Sequence, residues 1–357
     1  MSGNVPKAIG LSRREALIVT GAGLVAACTS GSQDETVSDV SVENQPSAAK
    51  WSTSPSLPFA AQEIYPCEHN GALHLAGGFV ATSGRINSAT AVHNLWRPGD
   101  ADWTEATPLP VARHHPHMIS YKGRLLALAG FEGNPATGFW IMQKSGWQLV
   151  GDEWQSIADL PAPCAEAVLA ETGDGVLHMA GGRTPNGEAN SAWTDQGDTD
   201  HHFVLSDLNG SWETAAPCPT KRNSTAGGVL GGNLHIVGGR TVIGRSNVDT
   251  HEVYDVNEDR WRTAAPMPQA QGGLAAASLG GKLYVFGGEF FNDGGGVYKE
   301  AWVYDPATDQ WDSIPDMPNP RHGLGAVALG NAIYVIGGAK QASGVDTSEL
   351  VEVFTPA

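Results

Sequence analysis

Arginine recurs at a fixed place in this sequence. Arg113, Arg222 and Arg321 each stand three residues beyond a proline, which itself lies seven beyond a tryptophan. Arg240 and Arg245 follow a glycine pair, Gly238-Gly239. A guanidinium offers a rigid fork of donors that matches a carboxylate. Brought to one axis, these five side chains predict a site for a small anionic or hydroxyl-rich ligand. The competing reading pairs each arginine with a nearby Asp or Glu. The same position beyond other prolines holds Ala61, Cys164 and Gln271, and the next position holds Gln62, His114, Ala165, Asn223, Gly272 and His322. A structural position is expected to repeat itself. These positions vary and stay largely polar, as a ring around a pocket would; solvated loops would also be polar.

Histidines gather in the same regions. His115 and His117 are spaced to share one face of a strand, and His114, His202, His251 and His322 fall near them by repeat position. A two- or three-histidine metal site is therefore conceivable. No HExxH and no spaced carboxylate triad accompanies them, and rim histidines more often bind substrate hydroxyls. Neither a metal nor a cofactor is expected. Three cysteines besides Cys28 are present, Cys67, Cys164 and Cys218, with no CxxC or finger spacing, so a structural zinc site is not expected either. Cys67 and Cys218 read as small buried residues. Cys164 falls at the rim position and is the candidate reactive thiol, with a Cys164–Cys218 disulfide as the alternative.

The elements that position these residues are repeats. A tryptophan, six residues and a proline occur six times, at Trp51–Pro58, Trp103–Pro110, Trp154–Pro161, Trp212–Pro219, Trp261–Pro268 and Trp311–Pro318. An apolar run ending in a small pair keeps the same beat: Gly77-Gly78, Ala129-Gly130, Gly181-Gly182, Gly238-Gly239, Gly287-Gly288 and Gly337-Gly338. A period near ~50 residues suits a four-stranded propeller blade. The first strand starts after the proline turn and the second is the apolar run. The third is an alternating stretch such as His251-Glu252-Val253-Tyr254-Asp255, and the fourth begins at the tryptophan. The last unit lacks its tryptophan strand, so the strand at Trp51 must complete it and close the ring, which removes the exposed edges of an open array. The expectation is an all-β, six-bladed propeller over 51–357.

Strands that alternate in direction put the proline loops and the loops after the glycine pairs on one face. The latter bring Arg85, Phe131, Glu132, Arg183, Arg240, Arg245, Glu289, Phe290, Phe291 and Lys340. The third repeat has the longest excursion, ending at His201-His202, and long loops are commonly functional. His202 and His251 occupy equivalent places in adjacent third strands.

The glycine pair, the aromatic residue late in the third strand, the tryptophan and the proline-bounded turn together resemble kelch repeats, and the resemblance covers 51–357. In size, blade number and location the chain is similar to exported bacterial six-bladed kelch propellers of the sialic acid mutarotase type. That resemblance implies a carbohydrate isomerase of the mutarotase or epimerase kind. It also implies a catalytic glutamate after a glycine pair, which Glu289 matches, and an arginine before the next strand. The stretch Gly296-Val297-Tyr298-Lys299-Glu300 carries no arginine there. Mutarotation needs a base and an acid at the anomeric centre; Glu289 would be one, with His322 or His114 as the other. The competing expectation is a non-catalytic module that docks a protein or a glycan, as kelch propellers widely do. A copper radical oxidase uses seven such blades and a Tyr/His/Cys set not seen here.

The chain has 357 residues and a formal net charge of −17, which would repel a phosphate backbone and makes nucleic acid an unsuitable partner. Near its start, Arg13-Arg14 precede a weakly apolar run from Ala16 to Ala27, too short to span a bilayer. Paired arginines ahead of such a run read as a twin-arginine export signal. Leu24-Val25-Ala26-Ala27-Cys28 resembles a bacterial lipobox, with Cys28 lipidated after removal of 1–27; an ordinary cleaved signal is the alternative. Residues 28–50 are rich in Ser, Thr, Asp and Glu and read as a disordered tether. The expected location is the periplasm, with the membrane reached through the lipid anchor alone.

Overall fold

The computed structural model describes residues 48–134, 138–242 and 246–357. The signal segment, Cys28 and almost all of the tether lie outside the described residues, as does Arg245.

The described chain forms six four-stranded antiparallel sheets, five of them built in chain order from the axis outward and the sixth completed by a strand from the start of the described residues. Blade 4 is typical: Ala226–Leu230, Asn233–Val237, His251–Asp255 and Arg260–Thr263 run from the axis outward. Blade 6 takes Gly325–Leu329, Ala332–Ile336 and Val351–Thr355 from the end of the chain. Its outermost strand is Lys50–Thr53, with Trp51 opposite Phe354. The innermost strands touch their neighbours all the way round, blade 6 against blade 1 included. The expected six-bladed propeller and its closure at Trp51 are both present. In blade 2 the stretch from Gly138 to Val150 forms two elements. Gly146–Val150 is the third strand, and Gly138–Met142 belongs to a hairpin above the blade.

Similar short hairpins follow the glycine pairs of most blades, for example Arg183–Pro185 with Gln196–Asp198 and Glu289–Phe290 with Gly296–Val297. The second glycine of each pair passes directly under the proline loop. A Cβ on Gly182 would lie 2.3 Å from the Ala165 carbonyl oxygen, and one on Gly239 would lie 2.6 Å from that of Asn223. That close approach, with positive φ, leaves only glycine. The first position is equally tight in most blades, with a Cβ on Gly287 2.2 Å from the Arg321 carbonyl oxygen, yet Ala129 occupies it in blade 2 at φ 58°.

The tryptophan of the repeated phrase does more than fill space between sheets. Each indole N–H donates to the carbonyl four residues past the tryptophan of the preceding blade. The bonds are Trp103 to Pro55, Trp154 to Thr107, Trp212 to Ala158, Trp261 to Ala216, Trp311 to Ala265 and, at the closure, Trp51 to Pro315, all at 2.8–3.1 Å. The residue before each proline (Leu57, Leu109, Leu160, Cys218, Met267 and Met317) is buried beside it in the inter-blade core.

His202 and His251 begin the third strands of blades 3 and 4, as expected, but they are buried inside the blades and not at the rim. Each ring meets a second-strand histidine, His178 to His202 at 2.8 Å and His235 to His251 at 2.9 Å, and blade 1 repeats the pair with His74 and His93. Nδ1 of the third-strand ring donates to Thr107, Ala216 or Ala265, the same carbonyls that accept the next tryptophan. A carbonyl only accepts, so Nε2 of that ring is the acceptor and its partner donates. Both rings are neutral. Burial, then the neighbouring ring, pushes His74 and His235 down to about 3 and His178 to about 4. Burial likewise pushes His202 and His251 to about 4, even though their carbonyl acceptors pull the other way.

Two predictions follow from these contacts. Trp51→Phe, which keeps the ring and loses the N–H, is expected to cost about 1 kcal/mol, and Trp51→Ala about 3 kcal/mol or more; a small loss in Trp51→Ala would mean the closure is not held there. Histidines with depressed folded values bind fewer protons folded than unfolded. Their stabilisation is complete above about pH 6.5 and is lost as pH falls toward 4, by up to ~1.4 kcal/mol per pH unit for each proton taken up. Urea midpoints between pH 7 and 4 should show this slope. It should flatten in His235→Tyr/His251→Ala, the combination that blade 5 uses at Tyr284 and Ala301. An unchanged slope would remove the histidine pairs as its cause.

Candidate functional site

The proline loops enter the top face in three steps. Three residues past the proline, the side chain turns back into its own blade. Arg222 donates to Glu252 at 2.5 Å and to the Gly238 and Ile236 carbonyls at 2.9 and 3.1 Å. Arg321 donates to Glu352 at 2.7 Å and to the Leu350 and Asn319 carbonyls at 3.1 Å. Arg113 donates to Glu132 at 2.9 Å and to the Ala129 and Ser145 carbonyls at 3.0 and 2.8 Å, with its guanidinium 4.0 Å over Trp147. All three are at most 1% exposed. This corrects the expectation that they face a ligand. Strand ends and glycine pairs leave buried carbonyls without ladder partners, and the fork of donors satisfies them. Blade 5 does the same with Gln271, which donates to Gly287 and accepts from Trp302. Cys164 is likewise buried and unpaired, its thiol pushed up to about 12 by burial and then by Cys218, which removes it as a reactive thiol and leaves no disulfide.

One residue further on, the chain bridges to the residue after the glycine pair, as in Asn223 with Arg240, Gly272 with Glu289 and His322 with Ala339. Asn223 spends its amide on Asp198 and the Arg240 carbonyl. His114 is stacked between Phe79 and Phe131, with ring centroids 3.8 and 4.8 Å away, and its Nε2 donates to Phe139. Burial, then His115, hold it far below the usual imidazole range. Enclosed and neutral, His114 braces the site and does not meet a ligand, contrary to its expected catalytic role.

The fifth position past each proline is where the site lies. All six residues there, Glu63, His115, Glu166, Ser224, Gly273 and Gly323, have positive φ. Backbone bonds join them into an arc around the axis: Glu63 N–H to Gly323, Gly323 N–H to Gly273, Gly273 N–H to Ser224, and His115 N–H to Glu63. Two blades use glycine at this position. The other four keep a side chain in a left-handed conformation that costs an L-residue about 1–2 kcal/mol. Those four side chains meet on the axis with Arg183, Arg240, Glu289 and His322.

Three carboxylates and two guanidiniums face one another there. Arg240 donates to Glu289 Oε1 at 2.8 Å. Arg183 lies 3.5 Å from Glu166, which also accepts from Ser224 at 2.6 Å. Arg183 is 2% exposed, yet among the described residues its Nε and Nη1 have no hydrogen-bond partner, and the same is true of Arg240 Nε. Two exposed aromatics cover these arginines, Trp193 at 4.6 Å from Arg183 and Phe291 at 5.3 Å from Arg240. His115 Nε2 is 3.0 Å from Glu63 Oε2, and its Nδ1 is 2.6 Å from His114 Nδ1. The Phe139 carbonyl fixes the His114 proton on Nε2, so both contacts of His115 are satisfied when it carries both ring protons. Burial alone would raise Glu63, but His115, His322 and Arg240 hold it well below the usual carboxylate range. His322 donates from Nε2 to Ser343 at 2.9 Å. Its buried Nδ1 faces Glu289 at 3.4 Å and Glu63 at 3.8 Å with no bond to either.

Of the expected residues, then, the structure brings Glu289, His322 and Arg240 together, with Asn223 beside them. It keeps Arg113, Arg222, Arg321, His114, His202 and His251 out of contact with the axis. Glu63, Glu166 and Ser224 were not singled out in the sequence. The available signal was glycine at the fifth position of two repeats, which marks a left-handed site where any other residue needs a reason.

Breaking one partner of a buried ion pair strands the other. Arg321→Ala and Glu352→Ala are each expected to cost about 3–5 kcal/mol, and Arg321→Met/Glu352→Leu far less than their sum. Calorimetric unfolding of the four proteins checks this, and additive losses would mean the two side chains do not act as a pair.

Residues 147–338 match the family model described as the KLHDC2/KLHL20/DRC7 Kelch-repeats domain. Kelch-like protein terF of Aspergillus terreus is 27% identical over 214 residues, covering 57% of this chain and 45% of that protein. Kelch-like protein 35 of Mus musculus is 22% identical over 197 residues, covering 54% of this chain and 30% of that protein. The chain thus spans less than half the length of these curated relatives. A solved structure titled "Structure of YjhT" superposes with TM-score 0.68 at 15% identity, covering 84% of this chain and 96% of that one, a likeness of fold. With the repeat pattern, the closed six-bladed ring and more than half of its length matched to that model, the chain belongs to the kelch-repeat family.

Proposed function

We propose that the top face binds a small acidic, hydroxyl-rich molecule of the sugar-acid type and exchanges its anomers. The observation that carries this reading is the buried Arg183, with two guanidinium nitrogens unpartnered beside Glu166, and Arg240 Nε unpartnered across the axis. Unpaired buried donors are costly, and a ligand carboxylate would satisfy them. Glu63 and Arg240, with side chains 21% and 18% exposed, are where solvent reaches this network. Trp193 and Phe291 offer apolar faces to a sugar ring.

Anomer exchange needs one group to take the proton of the anomeric hydroxyl and another to protonate the ring oxygen as the ring bond breaks; closure on the other face reverses both transfers. Glu289 would be the base. His322 would be the acid, because its Nδ1, set between two carboxylates, is placed to hold and release a proton. Arg240, 2.8 Å from Glu289 Oε1, would hold that carboxylate in place. The resemblance to mutarotase-type propellers supports the substrate class. The twin-arginine signal and lipobox would place this activity in the periplasm, anchored through a lipidated Cys28. If no acidic sugar binds, the exposed Trp193 and Phe291 favour a docking face for a protein or glycan instead.

The test is calorimetry and anomer-exchange NMR on the full chain with sialic acid, glucuronate and glucose. Acid sugars should bind and glucose should not. Arg183→Met should weaken binding at least ~10-fold, the loss of one charge-assisted contact. Glu289→Gln should keep binding and lose ~100-fold or more of the exchange rate. Binding without exchange in the wild type would leave a binding module, and no binding of either acid would sink the whole reading.

A further inference from the structure

Below the arc of left-handed residues the innermost strands enclose a second space, an axial cavity of about 540 Å3. Its upper end is closed, since the gap bounded by Glu63, Ser224, Gly273 and Gly323 amounts to only about 20 Å3. It opens toward the turns at the lower ends of the innermost strands. The bore is wide because those strands carry little but small residues, AGGVL, AAASL and GAVAL in blades 4, 5 and 6. A volume of this size lies within the range of small-molecule sites.

The cavity wall has a definite chemical polarity. Among the described residues no arginine or lysine lines it, whereas Glu68 and Glu171 do, near the lower ends of the innermost strands of blades 1 and 3. At the inner end the Tyr65 ring packs against His117, with centroids 4.1 Å apart. His117 Nε2 and Thr225 Oγ1, in side chains 2% exposed, have no hydrogen-bond partner, nor does Ser278 Oγ further down. Burial, then His115, pushes His117 down to about 3, so it meets the cavity as a neutral imidazole. Buried polar atoms left unpaired in the wall of such a bore are a demand for a partner.

We propose that the axial cavity is a second binding site, separate from the top-face site, for a small neutral or cationic molecule with a hydrogen-bonding group. Its polar group bonds His117 Nε2 and Thr225 Oγ1, or its ammonium lies toward Glu68 and Glu171. Anions are excluded by the two glutamates and the lack of any wall cation. The ligand class thus excludes the acids that the top face takes.

Benzyl alcohol, benzylamine and benzoate are probes of nearly one shape and three charges. Titrating each into the full-length protein labelled at histidine Cε1, the His117 resonance, identified by its loss in His117→Gln, should move saturably with the first two. Benzoate should bind at least 10-fold more weakly. Thr225→Val should weaken benzyl alcohol by about 5-fold, and Glu68→Gln/Glu171→Gln should remove the preference for benzylamine over benzoate. Saturating sialic acid should leave all of this unchanged. No saturable movement with any probe, or equal affinity for all three, would mean that the cavity holds solvent only and would overturn the proposal. The wild-type ranking decides the matter even if a variant fails to fold.

Discussion

One carbonyl per blade holds this propeller together, the one four residues past each tryptophan. It accepts the indole N–H of the next blade's tryptophan in all six places, including the join between the first strand of the ring and the last blade. In three blades it also accepts a histidine from its own sheet. A single acceptor thereby ties a blade's third strand to its fourth and to its neighbour. Because propeller blades contact only their neighbours, a fixed contact at each junction sets the same rotation six times, and the ring closes.

Closure at a fixed radius brings six proline loops to the axis in register. Within each loop, three consecutive positions have different fates. The first turns back to satisfy carbonyls of its own blade. The second bridges to the residue after the glycine pair. The third is forced into left-handed backbone at the hub. The blades settle the first position with interchangeable pairs: Arg222 with Glu252, Arg321 with Glu352, Gln271 with Trp302, Arg113 stacked on Trp147. The second strands and third strands trade partners in the same way, histidine with histidine in three blades, tyrosine with alanine in blade 5 and tyrosine with valine (Tyr334 and Val351) in blade 6.

The hub departs from this economy. Glycine serves there in two blades, yet four blades keep Glu63, His115, Glu166 and Ser224 at a conformational cost. Their side chains, with Arg183, Arg240, Glu289 and His322, gather charge that the fold does not require, and leave donors without partners. Backbone strain at these four positions and unpaired donors on Arg183, Arg240 and His322 beside them converge on one place at the axis. The same arc of backbone lies between that charged face and the bore beneath it, whose wall carries glutamates but, among the described residues, no arginine or lysine.

The sequence by itself determined the number of blades, their order, the strand that closes the ring and the face on which the loops meet. Each of these is a consequence of local periodicity: Trp to Pro spacing, glycine pairs and alternating apolar runs. It also put Glu289, His322 and Arg240 on the right face. It did not distinguish Arg240, which reaches the axis, from Arg222, which does not, since both are arginines in top-face loops. That difference depends on where each loop finds carbonyls to satisfy, and on whether a strand neighbour such as Glu252 or Glu352 stands opposite. Only tertiary structure decides this, because the partners are separated by 30 or more residues and meet only through the sheet register. The hub was hidden for a related reason. A left-handed backbone at Glu63 or Glu166 is imposed by ring closure, and neither residue announces it on its own.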